Sequence, residues 1–390
     1  MTFAVLALIV ACGLVGPVLA GLPRFAPPVV VGEIAAGVVF GATGFGVIHP
    51  SEPTLAFFAE VGFALLMFSV GTALPLRNPG LRASLGNGLR VVAFVVVFAL
   101  IAGYGLARLT NLDRPLLIAV LMATSSAAVA MPVLDEAKLT ALQIGMVTAA
   151  WVTIADIGSV VALPFAVVHG SARNVVLGGL AVLAATLVIW AVLNWARGTQ
   201  RYHQYRSLSH KRGWGLDLRI SLLSLFVLAW IALRIGTSIL VAGFCAGAVV
   251  ARVGEPKRLV WQILGIAQGL FVPLFFVVLG AQINLRALVT HPSDLLLAVG
   301  LSVGIVVVHV AAAVCGRLPV GSGLVACAQM GVPAAVVAVG LQTHILVAGQ
   351  GAAILAATLV SVGVLAIGAR VLAAGDGSVA PVASATPSTP

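Results

Sequence analysis

Charge is scarce in this chain of 390 residues: Asp, Glu, Lys and Arg together make up 8% of it, where a soluble domain carries about 25%. So few charges cannot cover a water-facing surface, which excludes an ordinary soluble protein. The cysteines number four, Cys12, Cys245, Cys315 and Cys327, and all fall inside apolar runs. They show neither metal-ligand nor redox spacing, so neither a disulfide framework nor a bound metal is expected. No nucleophile, base and orienting group form a visible triad, which argues against a hydrolase or other enzyme, and no cofactor motif is present. No symmetric filter motif suggests a channel. No basic segment precedes the apolar N-terminal run, so a first membrane helix is expected there rather than a cleaved signal peptide.

What the chain does have is hydrocarbon. Hydrophobic residues make up 61% of it, and the mean hydropathy is +1.17. The apolar runs recur along the whole length, each near the roughly 20 residues that a helix needs to cross a bilayer. In lipid the backbone must satisfy its own hydrogen bonds, which leaves helices or a closed barrel. Continuous apolar runs, rather than alternating ten-residue strands, decide for helices. An all-α membrane protein of about 13 spans is expected, at 3–21, 29–48, 53–74, 86–109, 115–134, 140–168, 174–196, 217–234, 237–251, 259–281, 294–316, 321–341 and 348–373.

The net charge of +10 does not point to nucleic acid, because its carriers are distributed as membrane topology requires. With the N-terminus outside, five basic residues fall on the outer side, Arg108, Arg114, Arg173, Arg234 and Arg286, and the other sixteen of the 21 fall inside. That asymmetry places the C-terminus in the cytoplasm and the protein in the plasma membrane as a multi-pass chain. The most basic connector, within "RGTQRYHQYRSLSHKRGWGLDLR", reads as a solvated cytoplasmic loop over 197–216, following a linker helix over 174–196. Residues 374–390, "GDGSVAPVASATPSTP" with the alanine before it, read as a disordered tail. Any soluble gating or nucleotide-binding module is expected on another chain.

An internal repeat is visible. "VGEIAAGVV" at 31–39 aligns with "VAGFCAGAV" at 241–249, matching Val31 with Val241, Ala36 with Ala246 and Gly37 with Gly247. In the next span "LLMFSVG", ending at Gly71, aligns with "FFVVLG", ending at Gly280. The paired spans are seven apart, an odd number, so the copies cross in opposite directions. Inverted repeats over about 1–168 and 217–373, within a membrane domain of 1–373, are the expected division. Such repeats belong to alternating-access transporters, with the site near the midplane.

Two spans are interrupted. The fifth carries Thr124, Ser125 and Ser126 mid-run and Pro132 beyond them, and the twelfth carries Gln329, Gly331 and Pro333 in the corresponding place. Broken helices free backbone groups to face a cavity and present dipole ends to an ion. Three acids lie in the interior of spans, Glu33, Glu60 and Asp156. An intramembrane acid costs at least ~2.5–3.5 kcal/mol on insertion scales and points to function. Asp156 is central in its run "WVTIADIGSVVALPF", with Thr153 and Ser159 three residues to either side and on its face. Glu33 and Glu60 lie nearer the membrane edges and fit packing anchors as well as ion ligands. His309, in "IVVVHVAAAVCG", is the one deeply embedded histidine, and it fits a core residue as well as a functional base.

These motifs resemble the monovalent cation:proton antiporter superfamily, in particular its branch of sodium/hydrogen exchangers and potassium-efflux antiporters. "LPRFAPPVVVGEIAAGVVFG" is similar to the second-helix signature and "FFAEVGFALLMFSVG" to the helix after it. "MATSSAAVAMPVLDE" is similar to the unwound fifth helix and "PLFFVVLGAQINL" to the tenth. The resemblance implies two crossing discontinuous helices, a homodimer, and Asp156 as the ion-binding aspartate with Thr124, Ser125 and Ser126 at the crossover. The chain departs at two positions: Ala155 stands where the family has Asp, Asn or Gln, and His309 stands where it has Lys or Arg. A single carboxylate over which a proton and Na⁺ or K⁺ compete would give obligate exchange. The rival readings are a sodium-coupled carrier of an organic solute and a non-transporting sensor or subunit.

Overall fold

A computed structural model describes residues 2–21, 29–72, 79–167, 172–212, 214–235, 239–253, 257–283 and 285–375. Its helices are α1 (Phe3–Ala20), α2 (Val29–Phe40), α3 (Pro53–Thr72), α4 (Pro79–Leu109), α5 (Pro115–Ala123), α6 (Ala127–Glu136), α7 (Gln143–Val167), α8 (Ala172–Arg197), α9 (Gln200–Arg212), α10 (Leu216–Arg234), α11 (Ile239–Val253), α12 (Lys257–Ile266), α13 (Val272–Gln282), α14 (Leu285–Thr290), α15 (Pro292–Cys315), α16 (Val320–Ala326), α17 (Gly331–Gln342) and α18 (Ala348–Gly375). No strand occurs among the described residues. Eleven segments there are helical, long and apolar enough to cross a membrane, and two shorter apolar helices, Val29–Phe40 and Ile239–Ala251, lie in the second and ninth expected spans.

Three expectations change. The second span was expected over 29–48, but α2 stops at Phe40. Gly41, Gly44 and Gly46 follow it in a turn, and Gly46 sits at φ +65°, a left-handed conformation that suits glycine. The connector expected as an open loop over 197–216 contains the helix α9. Its residues have no strong apolar period, but tertiary contacts hold it: Arg206 Nε lies 3.1 Å from Asp217 Oδ2 and the Tyr202 hydroxyl lies 3.3 Å from Asp217 Oδ1. Burial, and then the neighbouring Asp217 carboxylate, push the Tyr202 phenol above its ordinary value. At the C-terminus α18 runs to Gly375, so the first two residues of the expected tail are helical, while 376–390 lie outside the described residues. Arg24 and Arg77, counted on the inner side, also lie outside them.

The chain divides into two compact units. The first comprises Met1–Leu74, Val160–Pro292 and Ala334–Ala352. Here helices touch backbone to backbone at glycines. A Cβ on Gly37 of α2 would lie 2.1 Å from Val277 O and 2.9 Å from the Gly280 Cα on α13. A Cβ on Gly247 of α11 would lie 2.1 Å from Phe68 O and 3.0 Å from the Gly71 Cα on α3. These are the small-residue crossings that lipid-embedded helices use in place of a hydrophobic drive. Phe63 stacks on Phe275 at 5.2 Å between α3 and α13. Before α13 the helix widens into a π turn, Ala267–Phe271. Pro273 lies just beyond and lacks an amide hydrogen, and a wide turn relieves its clash with the preceding turn.

The second unit comprises Pro75–Ser159, Ser293–Pro333 and Ala353–Pro390. Its uninterrupted helices clamp its broken ones. A Cβ on Gly103 of α4 would lie 2.7 Å from Ala119 N on α5, and one on Gly323 of α16 would lie 2.7 Å from His309 O on α15. Gly368 of α18 approaches α16 equally closely, its Cβ falling 2.7 Å from Val325 N.

Candidate functional site

Helix α5 ends where Thr124 turns extended (ψ 148°), and α6 begins after Ser126, also extended (φ −128°, ψ 108°). Three hydroxyl residues in succession suit such a break, because their side chains compete with the helix for backbone partners. Inside α6, Pro132 withholds the amide that would bond Ala128 O. In the other broken pair α16 ends at Ala326 and α17 begins at Gly331. Pro333 falls in the first turn of α17, where a missing N–H leaves no helical bond unmade.

The two breaks are tied to each other. The Ser126 amide donates to Ala328 O at 2.8 Å, and the Ser125 hydroxyl donates to Ala326 O at 2.6 Å. From the opposite strand of the crossover, Gln329 Nε2 donates to Leu121 O at 2.7 Å and to Thr124 O at 3.0 Å. Those carbonyls belong to the C-terminal end of α5, the negative end of its dipole. The Gln329 amide group therefore caps α5 as a backbone turn would. Its own backbone N–H donates to Ser361 Oγ of α18 at 3.2 Å.

Asp156 lies on α7, thirteen residues after Gln143 and eleven before Val167. It is buried, and its Oδ2 accepts from the Ala127 amide at 2.9 Å. That amide opens α6, so the carboxylate sits at the positive end of a half-helix, where negative charge is favoured. Around it hydroxyls form a chain: Thr124 Oγ1 and Ser159 Oγ are 2.7 Å apart, and Ser159 Oγ donates to the Asp156 carbonyl at 2.9 Å. Carboxylate, hydroxyl and carbonyl oxygens are the donor set that a hard monovalent cation takes, and the same carboxylate can take a proton. Among the described residues no group of three His, Cys, Asp or Glu could hold a metal ion.

His309 on α15 is fully buried. Its Nδ1 faces Ile305 O at 2.9 Å, and its Nε2 lies 3.4 Å from Ser125 Oγ. Since the single Ser125 hydroxyl hydrogen points at Ala326 O, both ring nitrogens face acceptors. The ring also stacks on Trp151 of α7 at 5.8 Å.

The fold thus gathers Thr124, Ser125, Ser126, Asp156, His309 and Gln329 in the second unit. Thr153 is buried there too, but its hydroxyl bonds Ala149 O one turn back on its own helix at 2.7 Å. Glu33 and Glu60 belong to the first unit. Glu33 is buried against Gly16, with Oε2 lacking a hydrogen-bond partner, while Glu60 is half-buried. Three contributors carry no assignment from sequence: the Ala127 amide, Ser361 and Trp151. The first follows from the break itself; the other two have no distinguishing sequence signal.

Several known proteins are similar to this chain. KefC of Enterobacter sp. (strain 638), a glutathione-regulated potassium-efflux system protein, is 30% identical over 69% of this chain and 43% of its own length. "Probable Na(+)/H(+) antiporter 3" of Methanocaldococcus jannaschii is 25% identical over 68% of each. The chain spans about two fifths of the length of the KefC relatives it matches. The solved sodium proton antiporter MjNhaP1 of Methanocaldococcus jannaschii superposes over 96% of both chains with a TM-score of 0.63 at 16% identity, a likeness of fold. The family model described as "Sodium/hydrogen exchanger, transmembrane" matches residues 5–374, and the chain belongs to that family.

Proposed function

We propose that the chain is a secondary antiporter exchanging Na⁺ or K⁺ for protons by alternating access, with Asp156 as the shared carrier. The observation that carries this reading is the buried Asp156 carboxylate at the opening of α6, beside the hydroxyl chain of Thr124 and Ser159. A bare carboxylate buried alone is costly, so it is occupied by a proton or by a cation. The helix end and the oxygens around it stabilise the cation-bound form without closing the site to the proton. If the bare form crosses poorly and the two neutralised forms cross readily, every outward step of one ion requires the return of the other.

One cation replacing one proton on one carboxylate leaves the charge of the moving protein unchanged. Exchange is therefore one for one and indifferent to membrane potential. Ala155 supports this, since it offers no second side-chain ligand next to Asp156. A second stoichiometry, two protons per cation, would require His309, whose Nε2 lies 3.4 Å from Ser125 Oγ at the break, to release a proton of its own. Its mark is a rate that responds to potential.

The same reading includes an inverted repeat over about 1–168 and 217–373. It is supported by the equivalent crossings at Gly37 with Gly280 and Gly247 with Gly71. It also includes a homodimer, as the family resemblance implies, and a place in the plasma membrane with the N-terminus outside and the C-terminus cytoplasmic, an orientation that the distribution of Lys and Arg supports. The test is dissipation of an imposed proton gradient in vesicles when Na⁺, K⁺ or choline is added. Gradient collapse with an alkali cation and not with choline is expected; a flux that instead requires an added organic solute would contradict the proposal.

A further inference from the structure

Helix α18 runs beside α16 and past its end. Leu372, Gly368 and Ser361 follow one another on a single face of α18, four and then seven residues apart, which is about one and two helical turns. The first two meet α16 by close packing: a Cβ on Gly321 would lie 2.8 Å from Leu372 N, and one on Gly368 would lie 2.7 Å from Val325 N. At Ser361, beyond the end of α16, the contact becomes a hydrogen bond in which the Gln329 amide donates to Ser361 Oγ at 3.2 Å. Ser361 is buried, and its own hydrogen is committed to Thr358 O at 2.7 Å, so toward Gln329 its hydroxyl only accepts.

That amide belongs to the peptide group joining Ala328 to Gln329. The group is planar, with its C=O and N–H pointing opposite ways. Its other end, Ala328 O, holds the Ser126 amide at 2.8 Å. Ser126 immediately precedes Ala127, whose amide meets Asp156 Oδ2 at 2.9 Å. The Gln329 side chain meanwhile holds Leu121 O and Thr124 O, and the Thr124 hydroxyl meets Ser159 Oγ at 2.7 Å. Both halves of the first break, the end of α5 and the opening of α6, are thus tied to Gln329 and its peptide group. Helix α18 holds that peptide group through one hydroxyl.

We infer that Ser361 is a positioning residue for cation binding, an inference that rests on the reading of Asp156 as the exchange site. Its hydroxyl sets the tilt of the 328–329 peptide group and, through it, the places of the Ala127 amide and the Thr124 hydroxyl around Asp156. The physical reason is tolerance. A binding constellation works when its groups are held within about 0.5 Å of their places, and the ends of a broken helix lack the backbone ladder that would hold them. Without the Ser361 acceptor the buried Gln329 N–H is unsatisfied, and the peptide group turns to find another oxygen. That turn draws Ala328 O away from Ser126 and the Gln329 side chain away from α5. A cation needs several oxygens in place at once and loses by this. The fold loses less, because the close contacts at Gly321 and Gly368 still seat α16 on α18.

Titration of the purified full chain with NaCl and with KCl, read as proton release in weakly buffered detergent, tests this role. In Ser361→Ala the salt concentration for half-maximal release should rise about fivefold, the equivalent of one hydrogen bond of about 1 kcal/mol. The protons released per folded protein at saturation should stay at the wild-type value. Ser361→Cys nearly keeps the volume but offers only a weak acceptor; it should show the same rise, and it carries the test if the alanine variant does not fold. Ser302→Ala on α15 is the control. Its hydroxyl also donates one turn back, to Ala298 O at 2.7 Å, but has no partner on another helix among the described residues, so its titration should match the wild type. An unchanged half-maximal concentration in the Ser361 variants, with only the melting temperature lowered, would make Ser361 a packing residue and overturn the inference. An equal rise in Ser302→Ala would overturn it too, since the loss of any membrane hydroxyl would then suffice. A wild type that releases no proton would instead remove the exchange reading and this inference with it, so the two failures are told apart by the wild-type titration.

Discussion

At Gly37 and Gly247 the first unit brings helices together by omitting side chains; at Gln329, Ser125 and Ser126 the second brings them together by hydrogen bonds to interrupted backbone. The difference follows from the solvent. Where a helix is continuous its backbone needs nothing from a neighbour, and close approach through small residues supplies dispersion contacts. Where a helix is broken, its freed amides and carbonyls need partners, and lipid supplies none. Both units are therefore intolerant of added volume where glycines meet a neighbouring helix, at Gly37 and Gly247 in the first and at Gly103, Gly323 and Gly368 in the second, and the second is intolerant of lost polarity as well. Glu33, with an unpartnered oxygen in the first unit, and Asp156, bonded in the second, show the contrast within one residue class.

The largest effect is expected from volume. Gly247→Val would set side-chain atoms against Phe68 O, 2.1 Å from the Cβ position, and the folded protein should not be recoverable by size-exclusion chromatography. Gly179→Ala on α8 has open space at its Cβ and should match or slightly exceed the wild-type melting temperature, since alanine favours helix by up to about 1 kcal/mol. Equal yields from the two variants would erase the contrast.

Loss of polarity comes next. Gln329→Leu keeps the volume but leaves Leu121 O and Thr124 O without their side-chain donor. Each buried group left unsatisfied costs about 1–3 kcal/mol, so thermal stability should fall by several degrees, and cation-driven proton flux should fall with it. Smaller again is His309→Phe, which preserves an aromatic ring against Trp151 and removes the contact with Ser125. Under one-for-one exchange its proton-to-cation ratio, measured by paired isotope and pH recordings, equals that of the wild type; a fall from two to one would assign His309 a transported proton. The smallest effect belongs to Arg206→Gln, which breaks the ion pair with Asp217 at the membrane face. Such partly exposed pairs contribute about 0.2–1 kcal/mol, so urea or thermal midpoints should barely move.

Much of the second unit was legible in the sequence because its features are costly in lipid and hence conspicuous. Thr124-Ser125-Ser126 with Pro132, and Gln329 with Gly331 and Pro333, mark both breaks, and Asp156 is conspicuous as a charge in an apolar run. What stayed hidden depends on tertiary partners or on rotamer. Spacing puts Thr153 on the face of Asp156 but does not set its side-chain torsion, and its hydroxyl turns back to Ala149 O. Ser361 donates to Thr358 O one turn back, as membrane serines commonly do, and nothing local marks it as the acceptor for Gln329. The helix α9 carries little apolar periodicity, and Asp217, beyond its end, is what pins it.

The proposed exchange rests on a proton and a metal ion competing for one carboxylate, and proton release on cation binding measures that competition without requiring transport. Purified protein in weakly buffered detergent should release protons when Na⁺ or K⁺ is added at a pH where the site holds a proton, and the apparent cation affinity should weaken as pH falls. Asp156→Asn, folded and with an unchanged elution profile, should release none. The same proton release from Asp156→Asn would contradict the account, because the competing ions would then be meeting at another group.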